Sequence, residues 1–277
     1  MPTRTEWLKA HAAPTGQDLH GDACRKDEVD CLSDYLDGNI TPEEAAISIT
    51  EPVVDEIDPP TELYSLMGLI CEALIDLNDD REKLFDLLAA IQRLPPEEIN
   101  WSVLPGLRNM WSDLYRLHTR GSNGWEVIGE PLPDDKKVEL RQHYAEIGTI
   151  EATLYVRDLG GVTENWGYEL LNLACLRLPG LEAIIGEIHA WLTVAGTKLL
   201  KDLDPDEVRN WSRPVLGGLP GQRLAVEGTM AQHWETWRRT LLQVSEERHF
   251  LSDEAKQLAR ECHMLMQGHA QTQNHQY

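Results

Sequence analysis

Residues 181–203 read LEAIIGEIHAWLTVAGTKLLKDL. Leu181, Ile184, Ile185, Ile188, Leu192, Ala195 and Leu199 recur at steps of three and four residues, so a helix places them on one side. Gly196, beside that stripe, lets a neighbouring element approach the helix backbone closely. A buried helix of this length needs other helices around it, and the flanking sequence supplies them.

Upstream, Leu63, Leu66, Met67, Ile70, Leu74 and Leu77 repeat the spacing, as do Leu84, Leu87, Leu88, Ile91 and Leu94. Leu94-Pro95-Pro96 then stops the run, because proline cannot continue a helix. Thr41-Pro42-Glu43-Glu44 is a start signal: Thr41 caps, Pro42 loses nothing at the first helical position, and Glu44 reaches back to close a capping box. A shorter helix is expected from Leu107 to about His118. Asp134 to Asp158 reads as a long helix. Thr153-Leu154-Tyr155-Val156 favours strand on propensity, but Leu140, Ile147, Ile150 and Leu154 keep helical spacing. Asn165 to Leu178 is a further helix, ended by Pro179-Gly180.

Asp206 is expected to open a short helical piece, followed by a Pro/Gly loop from Arg213 to Gln222. Arg223 to Glu247 places Val226, Met230, Trp237, Leu241 and Val244 along one stripe, and Ser252-Asp253-Glu254 begins a last helix that ends near Gly268. Strand signal is nearly absent, and no repeat of fixed period occurs. The expected fold is all-α: one globular domain of about eight to ten helices, without significant sheet. It spans residues 25–267, between an N-terminal segment 1–24 and a polar, disordered tail 268–277. The Gly/Pro-bearing loop at 119–133 is where the domain would subdivide.

Charge narrows the partners. The chain carries 25 Lys+Arg against 47 Asp+Glu, a formal net charge of -22, which repels phosphate backbones and anionic membranes. The excess is uneven: residues 1–100 hold 7 basic and 23 acidic side chains, a net -16. That half is either a solvated surface, the commoner case, or a face for a basic partner. No window approaches the ~20 apolar residues of a membrane span. Met1 to Pro14 contains Arg4, Lys9 and no apolar core, so no signal peptide is expected there. Cys24, Cys31, Cys71, Cys175 and Cys262 are scattered and form no CxxC, which suits reduced thiols and a cytoplasmic setting.

The chain has no GxxxxGK[ST], no GxGxxG after a strand, no GxSxG and no HExxH. Gly217-Gly218-Leu219-Pro220-Gly221 lacks the following Lys of a phosphate loop and reads as a turn. Glu246 and His249 make one Glu-x-x-His pair of the kind that binds metal in helical bundles, but they fall where one helix ends, and no metal or cofactor is expected. Nine Trp against two Phe is the most unusual feature. Trp111, Trp166, Trp191, Trp234 and Trp237 face inward from helices, where indoles either wall a hydrophobic pocket or fill a core. His143 and His189 lie on or beside apolar stripes, where a core role is the commoner one. His233 precedes Trp234 on a helix that carries Arg238 and Arg239. Those arginines either hold a carboxylate ligand or pair with the protein's own acids, the latter more often.

One resemblance emerges from the order of segments. Tyr35-Leu36-Asp37-Gly38 precedes Thr41-Pro42-Glu43-Glu44-Ala45-Ala46. Trp101-Ser102-Val103-Leu104-Pro105 follows with Trp111 downstream, then Ala190-Trp191-Leu192 leading to Ala195-Gly196, then Trp234-Glu235-Thr236-Trp237. This series resembles a family of all-helical proteins of unknown function expanded in filamentous fungi, from about residue 30 to 266. The family has no agreed catalytic motif, so no residue role is carried over. Some members sit among genes for secondary metabolites, so the likeness implies a part in making a fungal natural product.

Two functional expectations follow. The first is a cofactor-independent protein of secondary metabolism that holds a hydrophobic small molecule and, if catalytic, promotes cyclisation, isomerisation or a pericyclic closure. Trp111, Trp191, Trp234 and Trp237 would be walls, and Glu151, His189 and His233 would move protons or place dipoles. The second is a non-catalytic acidic helical module that meets a basic protein surface. Neither involves nucleic acid or a membrane.

Overall fold

A computed structural model describes residues 3–12, 26–54, 59–97, 99–115, 133–175, 179–214 and 223–274. The described residues form eleven α-helices and one two-stranded sheet, so the fold is predominantly all-α. The chain divides into two compact units, Met1–Arg116 with Asp158–Gly161, and Leu117–Arg157 with Val162–Tyr277. The 119–132 part of the expected dividing loop, and the glycine cluster 217–221, lie outside the described residues.

The first unit contains α1 (Arg4–His11), α2 (Lys26–Asp37), α3 (Pro42–Val54), α4 (Pro59–Asp76), α5 (Arg81–Gln92) and α6 (Leu107–Leu114). The start of α3 is as expected: Thr41 N–H donates to Glu44 Oε2 at 2.8 Å, and Glu44 N–H donates to Thr41 Oγ1 at 3.2 Å. The stripes of α4 and α5 are buried together with Trp101 and Trp111. Helix α1 occupies a stretch that sequence reasoning left outside the domain. It closes its own N-terminus with a Thr3/Glu6 capping box.

The second unit contains α7 (Asp134–Val156), α8 (Glu164–Ala174), α9 (Leu181–Asp202), β1 (Val208–Pro214), β2 (Arg223–Thr229), α10 (Met230–Glu246) and α11 (Asp253–Asn274). Every residue of the α9 stripe is buried. Helix α7 stays helical through Thr153–Val156, where packing overrides strand propensity. It runs parallel to α9, because contacts rise in step along both helices. A Cβ on Gly186 would lie 2.4 Å from Arg141 O, and one on Gly148 would lie 2.7 Å from Glu187 O. Further along, Trp191 Nε1–H donates to Glu151 and Tyr155 O–H to Asp202.

At the start of these helices a buried network ties three of them together. The Arg141 guanidinium (α7) pairs with the Glu182 carboxylate (α9). Glu182 also accepts from Ser252 N–H at 2.8 Å and Ser252 O–H at 2.6 Å, at the head of α11.

Three expectations change. Residues 208–214 and 223–229 form an antiparallel hairpin, Val208 opposite Thr229 through Pro214 opposite Arg223, instead of a short helix and the first turns of a long one. The local reason is Thr229-Met230-Ala231-Gln232. Gln232 Oε1 accepts Thr229 N–H at 2.9 Å and Thr229 Oγ1 accepts Gln232 N–H, so this capping box starts the helix at Met230 and leaves Val226 on a strand. Helix α11 continues past Gly268 to Asn274, where a disordered tail was expected; no proline follows to break it. The helix from Leu107 ends at Leu114 among the described residues.

Two glycines should respond in opposite directions. Gly186→Ala drives a methyl into Arg141 O, a backbone atom, and is expected to destabilise the protein by about 1–3 kcal/mol. Gly268→Ala meets nothing within 4 Å and should stabilise α11 by roughly 0.5–1 kcal/mol. Urea unfolding followed by circular dichroism distinguishes the two.

Candidate functional site: the groove between α9 and α11

Helices α9 and α11 run parallel, with Glu182 beside Ser252, His189 beside Glu261, and Leu192 beside His269. Near the far end the two helices are joined through a missing side chain. A Cβ on Gly196 would sit 2.4 Å from His269 Nε2, so only glycine admits that imidazole. His269 Nε2–H donates to Leu192 O at 3.0 Å, because a carbonyl only accepts. Nδ1 is then the acceptor for the Thr197 hydroxyl at 3.1 Å. Both ring nitrogens are committed, and the ring forms a fixed wall.

Beside that wall lies an open groove of about 500 Å³, lined by His189 and Thr193 from α9 and by Glu261, Met264, Leu265 and Gly268 from α11. His189 Nε2 is 3.2 Å from Glu261 Oε2, both side chains about a third exposed. A carboxylate at that distance favours the ring form with a proton on Nε2, which leaves Nδ1 as the acceptor. Among the described residues Nδ1 has no protein partner. The Thr193 hydroxyl donates to His189 O at 2.8 Å and is engaged. Among the described residues no Lys or Arg lines the groove, while Val194 and Met264 are exposed large hydrophobics on its two helices.

The structure distributes the other expected site residues differently. Glu151 is fully buried and accepts Trp191 Nε1–H at 3.1 Å; Trp191 lies against Tyr155 at 5.6 Å between ring centroids. His233, Trp234 and Trp237 come together on α10, with ring centroids 5.7 and 6.2 Å from Trp237. His233 is buried: Nε2–H donates to Arg209 O on β1 at 2.9 Å, and Nδ1 has no protein partner among the described residues. Trp237 Nε1–H donates to Asn172 Oδ1 and Trp234 Nε1–H to Met266 O. Trp111 belongs to the first unit, its ring 4.7 Å from that of Tyr115. All four tryptophans are buried, and none lines the α9/α11 groove; of the seven residues only His189 does.

His189 is partly exposed and His143 is exposed, so neither is the core histidine their sequence positions suggested. Arg238 pairs with Glu235 at 2.8 Å, and Lys136 and Lys137 pair with Glu139 and Asp134, so these cations serve the protein's own acids. Among the described residues no three His, Cys, Asp or Glu side chains gather as metal ligands. No helix among them is long and apolar enough to cross a membrane. Glu261, Met264, Gly268 and His269 were missed. Their positions on α11 gain meaning only from its register against α9; Gly196 was the one local clue.

No protein-family model, no curated protein and no solved structure matches this chain.

The four described cysteines are free thiols. Burial pushes Cys31 up to about 11, raises Cys175, and raises Cys71 and Cys262 further. A raised thiol stays protonated until the pH nears its new value, so these thiols are almost wholly protonated at pH 8. Ellman's reagent should therefore label these four slowly in the native protein at pH 8, faster as pH rises, and promptly after unfolding. Fast native labelling at any of them would contradict the burial.

Proposed function

We propose that the chain is a cofactor-independent binder of a neutral hydrophobic small molecule, held in the α9/α11 groove, with His189 as the group that moves a proton on it. The observation that carries this reading is the His189–Glu261 pair at 3.2 Å on the edge of an apolar groove. A carboxylate beside one imidazole nitrogen orients the ring and stabilises the imidazolium that forms when the other nitrogen takes a proton. Among the described residues no activated nucleophile accompanies the pair: Thr193 and Thr197 are hydrogen-bonded within the protein, and the thiol on α11, Cys262, is buried and protonated. Proton transfer, as in an isomerisation or cyclisation, suits these groups better than acyl transfer.

The groove's own carboxylate and the net charge of -22 select against anionic ligands. Holding a flexible molecule in a near-attack conformation supplies ~7–11 kcal/mol of a barrier, and a placed general base adds about 10²–10⁴ in rate. In this proposal the indoles of Trp191, Trp234 and Trp237, with Glu151 and His233, form the packed frame behind the groove. The resemblance in segment order to the fungal helical family supports a fungal natural product as the ligand.

Binding is tested with Nile red, a neutral hydrophobic fluorophore. It should bind the native protein saturably at one site. Gly268→Phe, which projects a ring into the groove from a position with open space, should weaken binding at least tenfold without lowering the Tm. Undiminished binding to that variant removes the groove from consideration. Catalysis is tested by metabolite profiling of the source organism. Loss of the gene should remove one compound and accumulate its precursor, and a gene encoding His189→Ala should fail to restore it.

A further inference from the structure

Helix α1 of the first unit packs against a face that carries several acids, with Lys83 3.8 Å from Asp80 at its edge. Helix α1 presents Arg4, Trp7, Leu8 and His11, spaced i, i+3, i+4 and i+7, along one face. Each polar group on that face meets its own acceptor. The Arg4 guanidinium reaches Asp37 and Leu36 O at the end of α2, and Asp80 at 3.2 Å in the turn Asn78–Asp80. Trp7 Nε1–H donates to Asp76 at 2.8 Å, and His11 Nε2 lies 2.7 Å from Glu72 Oε2, both acceptors on α4. His11 Nδ1 lies 2.7 Å from Trp7 O, so both ring nitrogens face acceptors. That ring stacks on the Trp7 indole, 3.8 Å between ring centroids. Trp7 and Leu8 supply the apolar anchor, 2% and 7% exposed.

This is how amphipathic helices are recognised by separate proteins: apolar anchors at helical spacing, flanked by charges that meet complementary charges. Two features mark α1 as an exchangeable occupant. At eight residues it falls below the ~12–15 at which a helix persists alone in water, so its helicity depends on docking. Its polar anchors are ionic or charge-assisted and partly solvent-exposed, which salt weakens. Residues 13–25 separate it from α2 in sequence.

We propose that the acidic groove formed by the end of α2, the last turns of α4 and the turn Asn78–Asp80 is a docking site for a basic–aromatic helix of another protein, and that α1 is its internal placeholder. The partner helix would carry Arg, an aromatic, an apolar residue and a second cation at the spacing of α1. It explains a specific part of the acidic excess: Asp37, Asp76, Asp80 and Glu72 form a receptor. Tethering raises the local concentration of α1 to the mM range, so a partner succeeds only with further contacts or when α1 is weakened.

The test opens the groove in the full chain with Arg4→Glu and Trp7→Ala together, and in a milder form with Arg4→Ala alone. A labelled peptide of residues 1–12 is the probe, read by fluorescence anisotropy, with circular dichroism confirming the fold. The opened chain should bind the peptide one to one, at least tenfold tighter than wild type, with affinity falling as salt rises. Adding Asp76→Asn and Asp80→Asn to the opened chain should abolish binding, as should Arg4→Glu in the peptide. A folded opened chain that ignores the peptide overturns the proposal. Loss of the unit's fold in both opened variants also overturns it, by making α1 an integral part of the core. A wild-type dimer that exchanges α1 between copies, seen by light scattering, overturns it in favour of a second copy of this chain as occupant.

Discussion

In the second unit, direct contact between two helix backbones sets the positions of everything else. Gly148 on α7 faces the backbone of Glu187, and Gly186 on α9 faces the carbonyl of Arg141, so each helix provides a glycine where the other comes closest. Aligning helices in parallel brings like ends of their dipoles together, which is unfavourable. The sequence offsets this with carboxylates in the first turns: Asp134 and Asp135 on α7, Glu182 on α9, Asp253 and Glu254 on α11. One of them, Glu182, is drawn into the interior and bonded to Arg141 and Ser252. A buried ion pair gains little stability over apolar packing, since desolvation cancels most of its attraction. Its effect here is on register: a slip of one residue between α9 and α11 would separate Glu182 from the Ser252 N–H.

The groove inherits that register. Seven residues beyond Glu182 stands His189, and nine beyond Ser252 stands Glu261. The lock at the helix starts therefore delivers imidazole and carboxylate to each other about two turns later. A further seven and eight residues on, Gly196 and His269 form the second tie. The groove lies between two fixed points, which is what a site needs if a base is to be held against a ligand with little reorganisation. The tryptophans contribute differently. Each indole of Trp191, Trp234 and Trp237 has its N–H bonded to a buried acceptor, and together they stiffen the layer behind α9 and α11.

Helices were legible where a long apolar stripe was buried; the short α1, anchored on Trp7 and Leu8, was not. The α4, α5 and α9 stripes reported their helices because burial imposes a period on the sequence. The Thr41/Glu44 box announced its helix because a cap is a local interaction. The hairpin was misread because Val226, Met230 and Trp237 fall into a chance helical spacing across the Thr229 cap. The same kind of box that revealed α3 was present in Thr229–Gln232 and should have divided that stripe. The groove was hardly legible, for another reason. His189 and Glu261 are 72 positions apart; His189 stood out only as a histidine beside an apolar stripe, and Glu261 had no local chemistry to distinguish it from a surface residue. Only the partner of Gly196 could have linked them, and a glycine in a helix says that something approaches without saying what.

Net charge conceals a similar distinction. Residues 1–100 carry an excess of sixteen negative charges, and treating them as one repelling surface is correct only beyond the Debye length, about 8 Å at physiological salt. Within that distance, placement decides. Glu43 merely pairs with Arg93 at the surface, a contact of small energetic value. Asp76 and Glu72 stand one turn apart on α4, where they would repel each other if solvent alone faced them. An indole N–H and an imidazole fill that position instead, and a guanidinium takes Asp80 and Asp37 nearby. Without α1, Asp37, Asp76 and Glu72 would lose these partners, while Asp80 would keep Lys83 at 3.8 Å. The acids there are arranged to be covered by a cationic helix, and the surface most dependent on its occupant is also the one most open to a competing one.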